Sequence, residues 1–190
     1  PVNVEDLGVD LLSVAGHKLY GPKGVGALYV RQGTPIAPVL VGAGQERGLR
    51  PGTENVASIV GLGAAAALAA ELLAIEPVRQ QELREQLWKG LSTVIPDLVR
   101  VSPEEGCLPN TLMVAVPGRI GSDILDAADS VAASTGSACH SGVHTPAQTL
   151  LEMGIEPDTA LGALRLSLGR STTEEDIRTV IDALTSVLAR

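Results

Sequence analysis

The chain has 190 residues, 45% hydrophobic and 19% charged, with 21 Gly, 12 Pro and a formal net charge of −8. That charge argues against non-specific binding to nucleic acid, which needs clustered basic residues to neutralise phosphates, and an aromatic content of 2% with no Phe leaves few rings for base stacking. The composition is that of a folded globular chain, long enough for one domain or two small ones, with a core built from Leu, Val, Ile and Ala.

The first predicted element is an apolar, β-prone strand over residues 9–14, reached with no helix before it. Gly21-Pro22-Lys23-Gly24 is a turn, and residues 26–31 return as a second strand, a spacing that predicts an antiparallel hairpin. Residues 32–53 contain Gly33, Pro35, Pro38, Gly42, Gly44, Gly48, Pro51 and Gly52 and predict a long loop, of the kind that carries function or forms an interface. Either Thr53 or Asn55 can cap the helix that follows, which runs to about residue 74. Its Gly61, Gly63 and adjoining alanines permit close packing against another element. Pro77 marks a break. Residues 78–94 predict an amphipathic helix with Gln80, Gln81, Glu82, Arg84 and Glu85 on its wet side, ended by Pro96.

Beyond that point strands at 112–116, 131–134 and 163–168 alternate with helices at 122–128, 147–153 and 173–188. The last helix opens on a plausible capping box, Thr172 or Thr173 with Glu175 or Asp176. This alternation predicts an α/β architecture with a boundary near residues 75–80. The longest apolar stretch, residues 59–75, contains Glu71 and falls short of the ~18–20 apolar residues of a membrane span. No signal peptide opens the sequence, and two cysteines, Cys107 and Cys139, make no disulfide framework, so a reduced cytoplasmic setting is expected.

Lys18 is the first candidate for chemistry. It follows the first predicted strand, and burying an unpaired ammonium is costly. A lysine in such surroundings can act as an amine nucleophile and form Schiff bases; an ordinary surface lysine is the alternative. Gly16 lets the backbone approach a ligand, and His17 offers a donor to a phosphate or a ring. Cys139 lies in Ser134-Thr135-Gly136-Ser137-Ala138-Cys139-His140-Ser141-Gly142, a small polar loop that suits a reactive thiolate more than an inert buried thiol. Cys107, between Gly106 and Leu108-Pro109, has no such neighbours and reads as incidental. Arg165, in the middle of an apolar strand, needs a carboxylate partner, either on a ligand or in an internal ion pair. The charged, Gly-rich run Gln45 to Asn55 precedes a helix, so Thr53 is placed either at an anion site or simply near a capped end. His140 and His144 lack the companions of a metal site, and no metal is expected.

Together, Gly16-His17-Lys18 with Tyr20-Gly21-Pro22-Lys23-Gly24, the Arg47 to Asn55 loop, the Gly136 to Gly142 loop and Arg165-Leu166-Ser167-Leu168-Gly169-Arg170 resemble the cysteine desulfurase and selenocysteine lyase family. These are pyridoxal 5'-phosphate enzymes of the class V aminotransferase group with the type I fold. The resemblance implies that residues 1–76 are the end of the cofactor-binding large domain, with a dimer-interface loop, and that residues 77–190 are the small C-terminal α/β domain. It implies that Lys18 holds the cofactor as a Schiff base and moves protons at the substrate carbons. Gly16, His17 and Thr53 would bind the cofactor, His17 and Thr53 at its phosphate, with Thr53 reaching the other subunit of a homodimer. Arg165 would bind the substrate carboxylate, and Cys139 would take sulfur from L-cysteine as a persulfide, release L-alanine and supply a sulfur-acceptor protein, as in iron–sulfur cluster assembly. Ala15 stands where the family often has a serine that contacts the phosphate, and with Ala138-Cys139-His140-Ser141 it also resembles the branch that uses L-selenocysteine. Another class V aminotransferase and a non-catalytic fragment are the alternatives. Relatives carry a long segment before the lysine motif, with an aspartate for the pyridine nitrogen and a histidine for the ring. This chain taken alone is therefore expected to be inactive or nearly so.

Overall fold

The computed structural model describes residues 1–135 and 144–188. The chain divides into two compact units, Pro1–Ala74 and Ile75–Arg190. Both mix helices with open antiparallel sheets, in keeping with the expected α/β class.

In the first unit a one-turn helix, α1 (Val4–Leu7), precedes the hairpin, contrary to the expectation that no helix does. Asn3 Oδ1 accepts from the Glu5 N–H at 2.9 Å, and Gly8 closes the turn at φ 62°. So short a helix depends on its caps and has no room for a periodic apolar stripe. Strands β1 (Leu11–Ala15) and β2 (Gly26–Val30) pair antiparallel, from Leu11 opposite Val30 to Ala15 opposite Gly26, as the turn spacing predicts. Arg31 ties α1 to the end of this hairpin through Glu5 at 2.9 Å and the Val9 and Val4 carbonyls at 3.2 and 3.3 Å. Helix α2 (Val56–Leu72) is capped by Asn55 rather than Thr53, because Asn55 Oδ1 accepts from the Ser58 N–H at 3.3 Å. A Cβ built on Gly61 would stand 2.7 Å from Pro22 Cγ, so the glycine is what lets α2 lie against the turn after Lys18.

The second unit is a four-stranded sheet in the order β3, β4, β6, β5, comprising β3 (Val99–Arg100), β4 (Thr111–Ala115), β5 (Ser134–Thr135) and β6 (Ala163–Ser167). Leu112 and Val114 of β4 and Leu164 and Leu166 of β6 alternate onto one face. There they meet Leu83, Leu87 and Leu91 of α3 (Glu76–Val94), Ile124 of α4 (Gly121–Ala127), and Ile177 and Leu184 of α7 (Glu174–Leu188). Ala115 and Ala163 form a smaller cluster with Leu150 of α5 (Gln148–Glu152) and Ala160 of α6 (Pro157–Leu161). The capping box at α7 is Thr173 with Asp176: each side chain accepts from the other's backbone N–H, at 3.2 and 2.8 Å. Among the described residues no single helix is long and apolar enough to cross a membrane.

Arg84 departs from its expected place on the wet side of α3. Its side chain is only 2% exposed, and its guanidinium donates to the carbonyls of Leu108 and Glu104 at 2.9 and 3.2 Å. It also meets Cys107 Sγ at 2.8 Å and pairs with Glu85 at 2.8 Å. A buried guanidinium is tolerated when its donors are matched in this way. Glu85 receives Arg100 as well, at 2.6 and 2.8 Å, and Arg100 lies 5.4 Å from the centroid of Trp88. Arg100, then Arg84, hold the Glu85 carboxyl below the usual glutamate range.

Arg84→Ala is expected to destabilise the chain by about 3 kcal/mol, because the Glu104 and Leu108 carbonyls lose their donor and the buried guanidinium leaves a cavity, whereas Arg84→Met should cost less; urea denaturation checks the order. The Glu85 contribution is present above the unfolded glutamate pKa and is lost as pH falls through its lower folded value. Stability should therefore decline from about pH 5 towards about pH 3, and less steeply in Glu85→Gln, with Glu76 and Asp176 supplying the remaining slope.

Candidate functional site

Gly16–Leu19 form a single 3-10 turn at the end of β1, and Tyr20 closes it at φ 65°. The Gly16 N–H donates to the Val25 carbonyl and the Gly21 N–H to the Gly16 carbonyl, both at 2.9 Å. A Cβ on buried Gly16 would lie 2.9 Å from the Val25 oxygen and 3.2 Å from the Pro22 oxygen, so no side chain fits there. The turn sets His17 and Lys18 side by side, both exposed. This corrects the expectation of a lysine at the end of a buried strand: β1 is only partly covered, and nothing within this unit desolvates the Lys18 amine.

Thr53 is also exposed and lies just ahead of α2. Its carbonyl accepts from Arg50 Nη1 at 3.4 Å, as do those of Pro51 and Gly52 at 3.2 and 2.9 Å. Gln45 Oε1 accepts from the Gly52 N–H at 3.1 Å. Arg50 and Gln45 thus organise the loop, a role that charge patterning alone did not reveal. No hydrogen bond joins Thr53 to His17 or Lys18 among the described residues. What relates them is α2, which follows Thr53 and seats Gly61 on Pro22.

In the second unit Arg165 stands mid-way along β6, opposite Met113 of β4 and Ser134 of β5. Its neighbours Leu164 and Leu166 are buried and Arg165 itself is exposed. Among the described residues no carboxylate pairs with it, so the internal ion pair is not formed there and the guanidinium is available to a carboxylate from outside. Cys139 and His140, with the whole Gly136 to Gly142 motif, lie outside the described residues. The strand that leads to them ends at Thr135, and the description resumes at His144, whose Nδ1 is 3.2 Å from Ser122 Oγ. Strand pairing therefore sets Ser134, shortly before Cys139 in sequence, opposite Arg165.

Chemically, the first unit offers an amine, an imidazole and a hydroxyl on exposed backbone turns, a donor set suited to an aldehyde and a phosphate. The second offers a guanidinium suited to a carboxylate. Among the described residues no group of three or more His, Cys, Asp or Glu is placed to hold a metal ion.

Comparison with known proteins gives a consistent result. The family described as Aminotransferase class-V matches residues 1–180. The cysteine desulfurase IscS of Clostridium botulinum is 43% identical over 191 residues, covering 98% of this chain and 48% of the relative. The cysteine desulfurase NifS of Azotobacter vinelandii is 42% identical over 192 residues, covering 100% of this chain and 48% of the relative. A solved NifS-like protein from Rickettsia africae matches with a TM-score of 0.88 at 31% identity, covering 100% of this chain and 50% of that one. Another NifS-like protein matches with a TM-score of 0.85 at 36% identity, covering 100% and 49%. The chain spans about half the length of the curated relatives it matches.

Gly16→Ala is expected to force Val25 and Pro22 away from the turn and to cost about 1–3 kcal/mol of local stability. Hydrogen exchange checks this: the Gly21 amide should exchange at least about fivefold faster in the variant.

Proposed function

This chain belongs to the aminotransferase class-V family, and on that footing we propose that it is the part of a pyridoxal-phosphate-dependent cysteine desulfurase that carries the cofactor lysine, the substrate arginine and the sulfur-accepting cysteine. The names of its relatives support the activity. The observation that carries the assignment of residues is the register of β5 on β6, in which the strand leading to Cys139 runs beside an exposed arginine with no internal partner among the described residues.

The exposed Lys18 turn fits the cofactor by its donor set: the amine is free to condense with an aldehyde, and His17 and Thr53 can donate to a phosphate. When bound, pyridoxal phosphate supplies an electron sink for bond cleavage at the substrate carbons. Lys18 holds the cofactor and carries protons to and from those carbons. Gly16 keeps the backbone turn tight, and Thr53 serves the site of the second subunit in a homodimer. Ala15 offers no hydroxyl, so the phosphate depends more heavily on His17 and Thr53.

Arg165 grips the carboxylate of L-cysteine, which fixes the orientation of the carbon–sulfur bond. The Cys139 thiolate attacks the substrate sulfur. A sulfur–sulfur bond forms as the carbon–sulfur bond breaks, the departing electron pair goes to the substrate β-carbon, and that carbon takes a proton. The products are L-alanine and a Cys139 persulfide, whose outer sulfur passes to a thiol on an acceptor protein.

The test of the cofactor assignment uses the three lysines of the chain, Lys18, Lys23 and Lys89. Pyridoxal phosphate followed by borohydride should label Lys18 in preference to the other two, as read by peptide mapping, and Lys18→Ala should lose that label. Equal labelling of all three would contradict the assignment.

A further inference from the structure

One guanidinium outside the motifs grips the backbone that follows Arg165. Arg79, in the first turn of α3, donates through Nη1 to the Thr172 carbonyl at 2.7 Å and through Nη2 to those of Gly169 and Arg170 at 3.1 Å each. Its Nε and Nη2 also meet both oxygens of Glu76 at 2.9 Å. Gln80 Nε2 donates to the same carboxylate at 2.8 Å. Arg79 is therefore held in one orientation from its own helix while it holds the turn between β6 and α7. The adjoining residues are tied down separately. The Leu168 N–H donates to the Asn110 carbonyl at 2.8 Å, Asn110 Nδ2 donates back to the Leu168 carbonyl at 3.2 Å, and the Gly169 N–H donates to Thr172 Oγ1 at 2.9 Å.

We propose that Arg79 is a positioning residue for Arg165, through its grip on the turn that ends β6; the inference rests on the role proposed above for Arg165 as the carboxylate clamp. The sheet ladder fixes β6 sideways, between β4 and β5. The buried leucines set its register, and the anchored turn at its C-terminal end adds a further hold along the strand axis. A planar fork that bridges several carbonyls and a carboxylate suits this task, and a lysine ammonium cannot span them all. Bidentate recognition tolerates little displacement, since a misplacement of about 1 Å can cost about a hundredfold. Glu76 is part of the device, and its carboxyl is held below the usual glutamate range chiefly by Arg79.

The test uses the protein that carries this chain. L-Alanine, the product of the proposed reaction, is titrated against the protein while the Arg165 Nε–H signal is followed by NMR. Arg79→Ala should weaken binding by at least about fivefold, and Arg79→Lys and Glu76→Gln by less. Leu91→Ala, a core truncation remote from the turn, controls for stability loss alone and should bind as the unaltered chain does. If Arg79→Ala does not fold, Arg79→Lys and Glu76→Gln decide by the same comparison. Unchanged affinity in the Arg79 and Glu76 variants, or an equal loss in Leu91→Ala, overturns the positioning role while leaving the clamp intact. An unaltered chain in which the Arg165 signal ignores alanine overturns the clamp itself, and this inference with it.

Discussion

Arg165 depends on the parity of β6. Leu164 and Leu166 must point into the main core, where they meet Leu112 and Val114 of β4 and the helices beyond. Side chains alternate along a strand, so the residue between those two leucines is forced to the opposite face. A slip of one position would bury the guanidinium and expose both leucines, which the core does not permit. Hydrophobic burial thus aims a charged side chain, and the ladder to β5 sets Ser134 opposite it. The register that makes the core also makes the candidate clamp.

A different constraint governs the first unit, which is held by close backbone approach more than by buried side chains. Gly16 is its buried residue within the turn, and neither it nor Gly61 has room for a methyl group without displacing a neighbour. These contacts bring α2 against the turn after Lys18 and leave His17 and Lys18 exposed. Lys18 is available as an amine, and the unit by itself does not desolvate it. Its role in the proposed reaction then rests on the groups that surround it once the cofactor is bound.

The sequence made the hairpin legible because its strands are bounded by Gly and Pro, and it made α7 legible because its cap and its apolar period agree. It also pointed to Arg165, since a charge within an apolar strand stands out. Arg84 was misplaced because periodicity counts every arginine as polar, whereas its burial depends on carbonyls of Glu104 and Leu108 that lie far along the chain. Arg79 was missed for the same reason: its partners at Gly169 to Thr172 are backbone atoms, which carry no residue signature. The helices α1 and α6 and the two-residue β3 are too short to show a period. Thr53 and Asn55 were equally good caps by type, and only geometry separates them.

The central claim is that a sulfur atom passes from L-cysteine to Cys139. Mass spectrometry of the protein carrying this chain, after incubation with pyridoxal phosphate and L-cysteine, tests it most directly. The account predicts one added sulfur on the peptide that contains Cys139, none on the peptide that contains Cys107, and release of L-alanine. Release of L-alanine with no sulfur on Cys139, or added sulfur shared equally between the two cysteines, would contradict it.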